Sequence, residues 1–180
     1  TGPNSCKKLA ALLSTAADST KDALAQDKKE VETFLNNVAN SVVKDGSAYS
    51  AIKMAVPADY FKQTEDEFSA YTKTLDPSDE AYGMTFEQFI DALLSAQIKS
   101  ITNSVQSIKI SVADLSDCKS KLTADQKQMY ASCGDIAKAY IAKIKSDVTF
   151  KPGADTSGYN TDDLGKITVV NAGGNWYIAG

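Results

Sequence analysis

Histidine and arginine are both missing from this chain of 180 residues. Without an imidazole there is no Ser-His or Cys-His nucleophile pair, and the commonest metal ligand and near-neutral acid–base group are gone as well. Without a guanidinium, the planar fork that grips phosphate or carboxylate through two parallel hydrogen bonds is gone. All 19 cations are therefore lysines, set against 23 carboxylates for a net charge of -4. A pI near 4.9 argues against a phosphate-binding surface, so nucleic acid is not an expected partner. Long apolar runs are absent too. Ala10-Ala11-Leu12-Leu13 and Ile167-Thr168-Val169-Val170 fall well short of the roughly 18 to 20 residues that span a bilayer. No charged stretch followed by an apolar one opens the sequence, which leads us to expect a secretory leader already removed. No Gly-rich phosphate cradle, zinc spacing or nucleophile elbow occurs. Neither a cofactor nor a metal is expected, and no residue is singled out as catalytic.

What is present suits one sizeable core, because 180 residues with 43% hydrophobic content fall within the usual range for one domain. Leu24, Val31, Phe34, Leu35, Val38 and Val42 recur at helical spacing, with Lys28, Lys29, Glu30 and Glu32 mostly off that stripe. The spacing predicts a long amphipathic helix over 22–43. Ahead of it, residues 7–13 suggest a turn or two of helix and 14–20 a polar tether, so 1–21 reads as a lead and 22–180 as the domain. Tyr49, Ile52, Lys53 and Val56 predict a short helix stopped by Pro57. Thr64 with Glu67, Thr85 with Gln88, and Thr123 with Gln126 each have the spacing of a capping box. At Thr85 the flanking Met84 and Phe89 also form a hydrophobic staple, and the helix expected over 86–101 shows an apolar face of Phe86, Phe89, Ile90, Leu93, Leu94, Ile98 and Ile101. Residues 75–83, with Asp76-Pro77, read as an exposed loop.

Near residue 103 the repeat changes from helical to alternating. Ile108, Ile110 and Val112 alternate with Lys109 and Ser111, and an alternation from Tyr140 to Phe150 describes a strand approaching 40 Å at about 3.3 Å per residue. A strand of that length needs a bend or bulge, so a curved sheet is expected. Ile167 to Val170 and Asn175 to Ala179 form the arms of a final hairpin around Ala172-Gly173-Gly174. The fold class is α+β, with N-terminal helices packed on a curved antiparallel sheet.

The order of helix, short helix ending in proline, helix and then antiparallel strands closing on Gly174-Asn175-Trp176-Tyr177-Ile178 resembles the cystatin-like roll of the nuclear-transport-factor and ketosteroid-isomerase superfamily. More narrowly, the chain looks like uncharacterised secreted lipoproteins of Gram-positive bacteria that use this roll. The stretches that carry the likeness are the long helix leading through Asp45 and Tyr49 into Val56-Pro57-Ala58-Asp59-Tyr60, the connection over 115–129, and Ile167-Thr168-Val169-Val170 running into the last strand. The resemblance implies an extracytoplasmic domain, secreted or membrane-anchored at the cell surface, with a lipid anchor upstream and no activity attached. Its partner would be a small ligand or another envelope protein, and the chain a monomer or weak dimer.

In that superfamily ligands enter the open end of a cone formed by the sheet, which makes Tyr60, Phe89, Tyr140, Phe150 and Trp176 candidate lining residues; aromatic residues at such spacing equally suit a filled core. An isomerase-type enzyme is the alternative. It needs a carboxylate base facing the cavity, for which Asp59 beside Tyr60 and Asp91 are the available groups. Cys118 and Cys133 flank a helix of about 15 Å at 1.5 Å per residue, and a disulfide closes between them if 118–122 runs back along that helix. Two buried thiols are the other reading. Cys6 is either the lipid-bearing residue, although no lipobox precedes it, or a free thiol. The oxygen-rich stretch over 155–163 lacks the ligand spacing of an EF-hand and reads as a solvated loop. A last possibility is that the helix face from Leu24 to Val42 pairs two chains.

Overall fold

The computed structural model describes residues 3–159 and 165–179, with side chains from residue 7 onward. Helix α1 runs unbroken over Pro3–Asp45, 43 residues and about 64 Å at 1.5 Å per residue. Residues 14–20 are therefore helical and exposed, where the sequence suggested a tether. No glycine or proline interrupts 4–45, and the hydroxyls of Thr15 and Thr20 donate back to the carbonyls of Ala11 and Ala16, four residues earlier. A polar stretch of that kind is compatible with continued helix.

Helix α2, Ala48–Ala55, starts where the Ser47 hydroxyl accepts the Tyr49 amide and stops before Pro57. Helix α3, Ala58–Thr72, begins directly after that proline. Thr64 consequently lies inside α3, and its hydroxyl donates to the Tyr60 carbonyl at 3.0 Å. The capping box expected there does not form, because helix is already established six residues earlier. Helix α4, Phe86–Ser104, does open on a capping box: Thr85 Oγ1 accepts the Gln88 amide, and Gln88 Oε1 accepts the Thr85 amide. Helix α5, Ala124–Met129, opens on the same device at Thr123 and Gln126. Between α3 and α4, Asp76 accepts from the Ser78 amide in an exposed loop.

The change of repeat falls where α4 ends, and four antiparallel strands follow in the order β1-β2-β3-β4. They are β1 Val105–Asp117, β2 Ile136–Phe150, β3 Gly165–Ala172 and β4 Asn175–Ile178. The pairing skips one residue at Gln106 and Ala113 on β1 and at Ala137 on β2. Each extra residue bends its strand and raises the local twist, which curls the long sheet. The β3–β4 hairpin turns through Gly173 and Gly174, both at positive φ (+58° and +83°), as a two-residue primed turn requires.

Both faces of the sheet are covered. Val31 and Leu35 of α1 pack on Val112, Leu115, Ala142, Val169 and Trp176 on the inner face. Cys118, Leu122 and Tyr130 pack on Ala139, Val170, Ala172 and Ala179 on the other. A third cluster joins α2 to α4 through Ala48, Ile90 and Ile98, with Phe86 and Phe89 against it. Leu93 stays 61% exposed, so α4 buries a narrower stripe than its sequence offers. Val31 and Leu35 are buried against this chain's own sheet, so the part of the Leu24 to Val42 face that they form is covered from within the chain.

One contact between α1 and the sheet is polar and repetitive. As an edge strand, β1 turns the N–H and C=O groups of alternate residues away from the sheet. Helix α1 runs antiparallel along this edge. The Asn36 carboxamide accepts from the Ile110 amide and donates to the Ile110 carbonyl, at 2.7 and 2.8 Å, as a neighbouring strand would. Asn40 does the same to Ile108 at 3.0 and 2.7 Å. Glu32 accepts the Val112 amide, and Lys28 Nζ donates to the carbonyl of the bulged Ala113. Four helix residues rise about 6.0 Å and two strand residues about 6.6 Å, so side chains at i, i+4, i+8 and i+12 keep step with alternate strand residues.

Candidate binding groove

The flank of α1 next to the row that meets the β1 edge borders an open groove of about 730 Å³. Its walls are Gln26, Lys29, Glu30, Thr33, Phe34 and Asn37 of α1, Lys53, Met54, Val56 and Ala58 at the α2–α3 corner, and Gly174 to Tyr177 of the last hairpin. Phe34, Met54, Val56 and Trp176 make the apolar part; Lys29, Lys53, Asn37 and Asn175 supply polar groups. Trp176, only 9% exposed, is fixed by two contacts. Its ring stacks on Tyr140 with centroids 6.1 Å apart, and its indole N–H donates to Glu30 Oε2 at 3.1 Å. Hydrogen bonds from Gln26 and then from Trp176 hold the Glu30 carboxyl below its ordinary range. Glu30 is thus an ionised acceptor at neutral pH, a poor choice for a general base.

Behind the groove, α1 carries one buried charge. Asp27 is 3% exposed and accepts from Lys138 Nζ at 2.5 Å and from the Tyr140 hydroxyl at 2.7 Å. Burial first, and the adjacent Asp27 carboxylate second, push the Tyr140 hydroxyl well above the usual tyrosine range. The three side chains tie α1 to β2 and, through the Tyr140–Trp176 stack, set the groove's inner wall.

Of the five expected lining residues, the structure brings only Tyr140 and Trp176 together, and only Trp176 reaches the groove. Tyr60 is on α3 and 40% exposed. Phe89 packs on Phe68 in the helical cluster, with centroids 4.9 Å apart. Phe150 contacts Tyr159 at 5.0 Å, ten residues along β2 from Tyr140, which at 3.3 Å per residue is about 33 Å away. The inner face of the sheet, where the cone was expected, is filled by Val31, Leu35, Val112 and Leu115. Of the lining residues that sequence reasoning missed, Lys29 read as lying off the apolar stripe, Lys53 entered only the spacing of the short helix, and Asn37 carried no signal.

Neither expected base faces the groove. Asp59 is exposed in the first turn of α3. Asp91 accepts from the Ser47 hydroxyl at 2.8 Å and fastens the start of α2 to α4. Cys118 and Cys133 belong to one cluster under Tyr130 but are separate thiols. Residues 119–121 form a tight turn instead of running back along α5, and the Cys133 sulfur faces the Tyr177 hydroxyl at 3.7 Å. Burial raises the Cys118 thiol above its ordinary range, which makes it a poor nucleophile. The side chain of Cys6 and residues 160–163 of the oxygen-rich loop lie outside the described residues. Among the described residues no three His, Cys, Asp or Glu side chains converge to hold a metal ion, and no helix is long and apolar enough to cross a membrane. Comparison of the chain with protein-family models, with curated proteins and with solved structures finds no match.

Proposed function

We propose that this chain is a non-catalytic binding or scaffolding domain of the bacterial cell envelope, and that its ligand seats in the groove between α1, the α2–α3 corner and β4. The observation that carries this reading is the make-up of the groove: apolar side chains from three elements, amide and ammonium groups among its lining residues, and a volume within the range of small-ligand sites. Its only carboxylate, Glu30, is engaged with Gln26 and Trp176. That favours recognition over an isomerase-type proton transfer, which needs a base of raised pKa aimed into the cavity. The envelope address is supported by the likeness of the three sequence stretches to secreted lipoproteins and by the order of elements they share with the cystatin-like roll.

Trp176 is the only tryptophan in the chain, so its emission reports on this groove alone. The anionic aromatic probe anilinonaphthalene sulfonate is expected to bind and take up excitation energy from Trp176. Met54 is 44% exposed, and Met54→Glu, a change that leaves the core intact, is expected to weaken that binding about tenfold. Probe binding that is absent, or indifferent to Met54→Glu, rules the groove out. Fractionation of the native cell that finds the protein in the cytoplasm rules out the envelope address.

A further inference from the structure

From residue 7 to residue 26 every residue of α1 is exposed. Leu9, Leu12 and Leu13 are 59, 69 and 63% exposed, and Leu24 is 40% exposed. At 100° per residue these leucines, with Ala16, Thr20 and Ala23, fall on one arc, whereas Lys7, Lys8, Asp18, Lys21 and Asp22 all fall on the opposite half of the helix. The apolar arc continues the row on which Asp27, Val31 and Leu35 are buried against the sheet. The helix thus presents the same face twice, once covered by its own chain and once open.

We propose that a second copy of this chain covers the open arc, the two α1 segments packing antiparallel about Ala16 and Ala17. Side-chain size selects this occupant and this direction. The bulky residues Leu9, Leu12 and Leu13 lie before the midpoint; from it onward come the small residues Ala16, Thr20 and Ala23, with Leu24 the one leucine at the far end. An antiparallel pair sets Leu12 and Leu13 of each copy over the small residues around Thr20 of the other, knob into hole, and brings Leu9 against Leu24 at each end. A parallel pair sets bulky on bulky and small on small, leaving voids along half its length. The flanks of the arc carry Lys8, Ser19, Ala10 and Ala17, and the antiparallel axis sets Lys8 beside Ala25 of the other copy, so pairing brings no like charges together. Covering the leucine-bearing segment in both copies removes on the order of 1,000 Å² from water, above typical lattice contacts and at the low end of specific interfaces. A lipid surface is a poorer fit, since three lysines against two aspartates leave little attraction for anionic headgroups.

Sedimentation equilibrium over about 5 to 500 µM tests the proposal directly, a span that suits an interface of this size. Weight-average mass is expected to rise from 19.2 kDa toward twice that value. Leu13→Glu should weaken the association at least about 50-fold, because it puts a charge into the covered row. Leu13 is 63% exposed in its own chain and belongs to none of the core clusters, so the sheet and its docked helices should keep their circular dichroism. Register is tested in a Cys6→Ser background: Ala16→Cys is expected to form a disulfide between copies on mild oxidation, and Leu9→Cys is not. A mass of 19.2 kDa at the highest concentration overturns the proposal. So does cross-linking through Leu9→Cys, or a monomer that co-sediments with phosphatidylglycerol vesicles, which would assign the arc to lipid.

Discussion

The two edges of this sheet expose the same backbone groups and are treated in opposite ways. At β1, 13 residues long, four side chains from one helix bond to the outward-facing amides and carbonyls. At β4, only four residues long, cover comes from two side chains at the far end: the Tyr130 hydroxyl donates to the Ile178 carbonyl at 2.9 Å, and Gln126 donates to the Ala179 carbonyl at 2.9 Å. The near end of β4, at Trp176, borders the groove instead. A long edge invites unwanted strand addition and is capped along its length; a short edge can be left beside a binding surface.

The comparison can be broken hardest at the β4 turn. Gly173 holds φ +58°, and a Cβ placed there would come within 2.3 Å of the Cys133 carbonyl oxygen, a backbone atom that cannot step aside. Gly173→Ala is expected to lower stability by about 3 kcal/mol in urea denaturation, through the clash and the unfavourable φ together. An effect under about 1 kcal/mol would mean that β4 does not depend on its turn.

At the other edge, Asn36→Leu keeps the branched shape of the side chain and strands both polar groups of Ile110. About 2 kcal/mol is expected, with Asn40→Leu similar and the pair showing coupling in a double-mutant cycle. If both variants melt with the parent, water replaces the carboxamides at no cost and the row of side chains is ornament.

The smallest effect separates the cover of β4 from its packing. Tyr130→Phe removes the bond to the Ile178 carbonyl and should cost about 1 kcal/mol at neutral pH. Its pH dependence is the sharper measurement. Burial pushes the Tyr130 hydroxyl up to about 12, so above pH 10 the unfolded chain sheds this proton before the folded one does. Stability is then full below about pH 10 and falls as pH rises toward 12, and the phenylalanine variant should show a shallower fall. Identical slopes for the two proteins would refute the assignment.

Most of the fold was legible because its signals are local. Thr85 with Gln88 and Thr123 with Gln126 are self-contained capping devices, and Gly173-Gly174 dictates its own turn. The Thr64 spacing misled because the same residues fit a helix interior once Pro57 has started one upstream. The groove and the β1 edge were illegible for a different reason. Asn36 and Asn40 look like any solvated pair at i, i+4 until a strand 68 to 74 residues later is laid beside them. Phe89 and Phe150 were grouped with Tyr140 on chemistry alone, although the length of β2 and the separate helical cluster keep them apart. Periodicity reports which face is apolar and carries no information about which neighbour will cover it.

The carboxamides of Asn36 and Asn40 also turn the outermost strand into a clock. On an ordinary sheet margin the amides of Ile108 and Ile110 would trade their protons for deuterium almost at once. Here each is held until α1 lifts away, so the rate at which those two positions take up deuterium measures how often the long helix leaves its seat.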